Sequence, residues 1–134
     1  MATFSFNKQE KLKSRKLTKQ LFAEGKSFLV FPIKVMYLPV KEPLDFPIKI
    51  GVSASSRTFK HAVDRNRIKR VMREQYRLSK LPLHEYTTTN NQQVIAFFLY
   101  INKTLPEKGL IEKKMPIIMQ KLIAALHETT AATA

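Results

Sequence analysis

Cysteine and tryptophan are both absent from the 134 residues, and glycine occurs only three times, at Gly25, Gly51 and Gly109. Without cysteine there is neither a disulfide framework nor a thiolate metal site. Glycines so dispersed make no phosphate-cradling loop. Only three histidines occur, His61, His84 and His127, with no His-x-x-x-His or Glu-plus-His ligand spacing among them. His61 and Asp64 are three apart, a spacing that reads as a helix start rather than a metal site. Ser53, Ser55 and Ser56 have no neighbouring base in sequence. Asp and Glu number only ten against 24 Lys and Arg, so a protein-borne two-metal nuclease centre is not expected. No apolar run approaches the roughly 20 residues that span a bilayer, and the opening residues lack the apolar core of a secretion signal. The expected compartment is the cytoplasm, and no membrane partner is expected.

What the chain has in excess is positive charge. Lys and Arg number 24, the formal net charge is +14 and the pI is about 10.2. Such a surplus points to a polyanionic partner. It is concentrated between Arg57 and Lys80, where nine Lys and Arg face only Asp64 and Glu74. Wound as a helix at about 100° per residue, this stretch puts Leu78, Val71, Ile68 and Met72 on one arc, with Gln75 among them. Arg65, Tyr76, Lys69, Arg73, Asn66, Arg77 and Arg70 fall on the other. Charged helix faces are often only solvated surface. Here few Glu partners stand at i,i+4 spacing to offset the crowding, so an RNA- or DNA-binding face is the better reading.

The length suits one domain. A short basic helix is expected over 14–24, stopped by Gly25, with Phe22 either packed or free to stack on a base. Strands follow at 27–31, 33–40, where Ile33, Val35 and Tyr37 share one face, and 48–54. After the basic helix, Pro82 and the polar run 87–93 read as a loop. The apolar run 94–101 reads as a central strand. A final helix carries Ile111, Met115, Ile118, Leu122 and Leu126 at spacings of three and four, with a start or kink at Pro116. Residues 1–10 are expected as an extended arm and 127–134 as a flexible tail. The order α-β-β-β-α-β-α predicts an α/β fold of the α+β kind, a mostly antiparallel sheet with helices on one face.

The run Ala62-Val63-Asp64-Arg65-Asn66-Arg67-Ile68-Lys69-Arg70-Val71-Met72-Arg73-Glu74 resembles the signature of the bacterial ribonuclease P protein subunit, Ala-Val-x-Arg-Asn-x-x-Lys/Arg-Arg-x-x-Arg. Leu12 to Gly25 resembles the family's first helix, and Lys49-Ile50-Gly51-Val52-Ser53 resembles the strand before the motif. The likeness covers about residues 6–126. It departs at Lys60, where the family often has Gly, at Lys11, which replaces a common Arg, and at Pro116.

The resemblance implies a small α/β fold similar to the second domain of a small-subunit ribosomal protein, with a left-handed crossover. It implies assembly with a large catalytic RNA that, with Mg2+, removes the 5′ leader from precursor tRNA, so the catalytic groups lie on the RNA. No obligate protein partner is expected. Carried onto this sequence, Arg65, Asn66, Lys69, Arg70 and Arg73 become RNA contacts, and the cationic stretch around them adds Arg67, Arg77 and Lys60 as candidate RNA-binding residues. Phe22, Lys34, Tyr37 and Ser53 become leader contacts. A general or ribosome-associated RNA-binding protein is the alternative that charge and fold alone would also serve.

Overall fold

The structure, a computed structural model, describes residues 11–12, 14–40 and 48–133. The expected arm over 1–10, and most of the proline-rich connection after 40, lie outside the described residues. Helix α1 (Arg15–Glu24) leads into a hairpin of β1 (Lys26–Val30) and β2 (Ile33–Pro39); β3 (Ile48–Ala54), α2 (Ala62–Ser79), α3 (Leu81–Thr89), β4 (Val94–Tyr100) and α4 (Leu110–Thr133) follow. Ser14 caps α1, its hydroxyl accepting from the Leu17 amide at 3.2 Å. Gly25 lies against the Leu21 and Tyr37 backbone carbonyls, leaving no room for a side chain.

The sheet order is β1-β2-β4-β3, with β1/β2 and β2/β4 antiparallel and β3/β4 parallel. The apolar run 94–100 is therefore central, as its continuous hydrophobicity predicts. Register sets the two faces. Val30, Ile33, Tyr100 and Ala54 make one row across the sheet, and Phe28, Val35, Phe98 and Val52 the next. These rows join Ile68, Met72 and Tyr76 of α2, Leu83 of α3 and the α4 stripe in the main core. All five expected α4 positions, Ile111, Met115, Ile118, Leu122 and Leu126, are buried.

Three expectations are corrected. Helices cover both faces of the sheet, because α1 packs on β2 and β4 from the side opposite α2 and α4. Leu21 and Ile95 are buried there, outside the main core. The stretch read as a loop after Pro82 contains α3. Its run of threonines has low helix propensity, yet Leu83 and Thr87, four apart, are buried, and the Thr87 hydroxyl donates to the His84 carbonyl at 3.0 Å. Pro82 sits at the start of that helix, where a missing N–H costs nothing. Finally, of the two outcomes expected at Pro116, a start there is the one overturned: α4 begins at Leu110, six residues earlier, holds Pro116 inside it and runs on through 127–133. Pro116 is exposed, so water can serve the carbonyl its ring leaves unpaired.

Candidate nucleic-acid interface

Burial of Ile68, Met72 and Tyr76 fixes the rotation of α2 about its axis. That stripe is turned away from the one the apolar residues alone suggest. Tyr76, placed by periodicity on the cationic side, has no exposed surface and packs edge-on to Phe98 at 5.9 Å. Its phenol also has a polar neighbour, His84 Nε2 at 3.4 Å. Leu78, placed on the apolar arc, is exposed. The sheet and α4 both press on α2, so its buried arc is the one facing their junction.

The same rotation leaves Asn66, Arg67, Arg70 and Arg73 exposed. Together with Val63, which is 77% exposed, they line an open groove of about 520 Å³ on one side of the helix. From Asn66 to Arg73 the side chains recur at i+4 and i+7, spanning about 10 Å of helix. A guanidinium forks two phosphate oxygens, and the Asn66 amide both donates and accepts. Cations held this close, on a helix whose other side is locked into a core, concentrate positive charge on one exposed face.

The remaining candidates on this helix sit differently. Lys60 is exposed just before the first turn, and Lys69 is half-buried beside the core stripe. Arg77 is ion-paired with Glu74 on its own helix. Arg65 is half-buried, and its Nη1 donates to the backbone carbonyls of Phe59 and Lys60 at 2.6 and 3.0 Å.

A second surface lies across the sheet, beside α1. Phe22 is 55% exposed, and its ring meets Phe97 at 5.4 Å in a tilted contact. Ser27, Met36, Phe97 and Gly51 share one row; Leu29, Lys34, Leu99 and Ser53 share the next. Phe22, Lys34 and Ser53 are thus on one face. Tyr37 is not: it points into the core at 7% exposure, against Phe28 at 5.9 Å. Burial raises its phenol pKa, and the Glu128 carboxylate adds to the rise. Its grouping with the other three is corrected by strand alternation, which sends successive side chains to opposite faces. Met36 and Phe97 stand on the aromatic face instead. Phe97 is illegible in the sequence because β4 is apolar on both sides and its alternation cannot be seen, whereas the alternation of β2 already sets Met36 on the side of Lys34.

Gly51 makes that face possible. A Cβ there would lie 2.7 Å from Phe97 Cδ2 and 2.9 Å from Cε2. Gly51→Ala is expected to push the Phe97 ring off β3, costing about 1–3 kcal/mol of stability as overpacking. Urea unfolding of the variant checks this.

Among the described residues no group of three or more His, Cys, Asp or Glu converges to hold a metal ion. No helix among them is long and apolar enough to cross a membrane.

Residues 6–114 match the family model described as Ribonuclease P. The chain belongs to the ribonuclease P protein family. It is 34% identical over 114 residues to the ribonuclease P protein component of Porphyromonas gingivalis, covering 85% of this chain and 83% of that relative. The ribonuclease P protein component of Chlorobium phaeobacteroides is 27% identical over 128 residues, 88% of each chain. Among solved structures, the RNase P protein of Staphylococcus aureus superposes with a TM-score of 0.65 at 20% identity, covering 86% of this chain and 96% of that one. Membership makes the chain the protein component of ribonuclease P, a subunit of an endoribonuclease acting in tRNA processing. The ribonuclease P motif falls on α2, with its Asn66, Arg70 and Arg73 on the exposed groove and its Arg65 turned to the protein's own backbone.

Proposed function

We propose that the exposed side of α2 binds the RNA subunit of ribonuclease P, and that the Phe22–Phe97 face across the sheet holds the single-stranded 5′ leader of precursor tRNA. The observation that carries this reading is the groove lined by Asn66, Arg67, Arg70 and Arg73 on a helix anchored by Ile68, Met72 and Tyr76. The two surfaces lie on opposite sides of one sheet, so a single rigid body holds two RNA segments at a set separation. Aromatic stacking on Phe22 and Phe97, with charge from Lys34, tolerates any leader sequence. Mg2+ is held by RNA phosphates in this assembly; among the described residues no three acidic or histidine side chains converge to hold it. The protein neutralises nearby phosphates and orients the substrate, and the setting is the cytoplasm. Adding the purified protein to a bacterial ribonuclease P RNA at low Mg2+ is expected to raise the rate of leader removal. No gain in cleavage would end this reading.

A further inference from the structure

The first arginine of the motif faces inward, and its surroundings give it a different task from its neighbours. Helix α2 starts without a side-chain cap: His61 occupies the capping position and its imidazole makes no capping hydrogen bond. Something else must fix the loop that enters the helix. At one end of that loop the Phe59 amide donates to the Ser55 carbonyl at 2.9 Å, and the Arg57 amide to Ser55 Oγ at 3.2 Å. The Phe59 side chain is buried, tilted against Tyr100 at 5.9 Å. At the other end a single nitrogen, Arg65 Nη1, gathers the two successive carbonyls of Phe59 and Lys60. The loop is held by its side chain from below and by its carbonyls from the helix. Lys60, exposed, is the cation carried on the clamped segment.

We infer that Arg65 is a positioning residue, one that sets the Phe59–His61 loop so that Lys60 makes the phosphate contact at the N-terminal end of α2. This rests on the reading of α2 as the RNA-binding helix. A planar guanidinium suits the task because its donors are fixed in direction, whereas an ammonium would keep the charge without that fixed fork. Engagement with two carbonyls leaves Nη1 no donor for a phosphate, since each of its two hydrogens is used. The Asp64 carboxylate in the first turn offsets the unfavourable placing of cations near a helix N-terminus.

The test is a double-mutant cycle on the full chain, with binding to ribonuclease P RNA measured across a salt series. Arg65→Ala and Lys60→Ala are each expected to weaken binding and to lower the salt slope by about one. The double variant should match either single within about twofold, because both changes remove the same contact. Arg65→Lys should bind like Arg65→Ala. Losses that multiply, with a slope lower by about two in the double variant, would show that Arg65 touches phosphate itself and overturn the inference. Full binding by Arg65→Lys, or by Lys60→Ala, would overturn it as well. If Arg65→Ala does not fold, amide exchange in Arg65→Lys decides: it should quicken at Lys60 and His61 while 68–76 stay protected, and unchanged exchange there overturns the inference. Arg70→Ala is the control for the underlying reading. Unaltered binding by that variant sinks the assignment of α2, whereas weakened binding with additive Arg65 and Lys60 effects sinks only the role given to Arg65.

Discussion

Changing Arg70 and Arg73 together to alanine is expected to weaken association with the ribonuclease P RNA by about 2–6 kcal/mol, the sum of two charge-assisted contacts of about 1–3 kcal/mol each. That is a loss of roughly thirtyfold or more in affinity. Both side chains are exposed and line the same groove, so neither supports the core. Stability should stay within about 0.5 kcal/mol of the parent, and relief of like-charge crowding acts in the stabilising direction. The salt dependence distinguishes contact from distortion. Each lost phosphate contact lowers the slope of log K against log salt by about 0.7–0.9, so the double variant should lose close to twice that. Filter binding of labelled RNA at several salt concentrations measures both quantities. Unchanged affinity with a folded protein would remove α2 from the interface.

Tyr76→Ala should have the largest effect on folding. The side chain is fully buried, lies edge-on to Phe98, and belongs to the core that α2 shares with the sheet and α4. Removing a large aromatic from such a site costs about 3–5 kcal/mol, transfer free energy plus the cavity left behind. Against a typical domain stability of about 5–15 kcal/mol, that is a large fraction. Tyr76→Phe keeps the ring and loses only the hydroxyl beside His84, a cost of about 1 kcal/mol. Urea unfolding separates the two: the midpoint should fall strongly for Ala and slightly for Phe, with the slope against urea unchanged. Had Tyr76 stood on the cationic side, both variants would unfold like the parent.

Tyr76 also shows where sequence pattern stops. A helical wheel sorts side chains by polarity, and tyrosine, an apolar ring with a polar tip, belongs to either side. The choice is made by what the helix packs against. Tyr37 is the converse case. Its alternation with Ile33 and Val35 already put it on the core face, and the assignment to the leader surface set that pattern aside. The α3 helix was illegible for a third reason. Five consecutive threonine and asparagine residues, 87–91, look like a turn, and only the burial of Leu83 and Thr87 against the core outweighs their poor propensity.

The sequence by itself determined the class of partner, through net charge +14 and the crowding of cations between Arg57 and Lys80. Together with the Arg65-Asn66-x-x-Lys69-Arg70-x-x-Arg73 spacing, it determined the family. It also determined the central strand and the α4 stripe, because period and hydrophobicity are local properties of the chain. The tertiary structure alone decided which cations are free. Arg65, Arg70 and Arg73 are equivalent as letters in a motif, but Arg65 reaches two loop carbonyls while Arg70 and Arg73 face an open groove. It alone decided that α1 and α2 lie on opposite faces of the sheet. Both depend on contacts between residues distant in the chain, and the helical or strand period of a single segment carries no record of them.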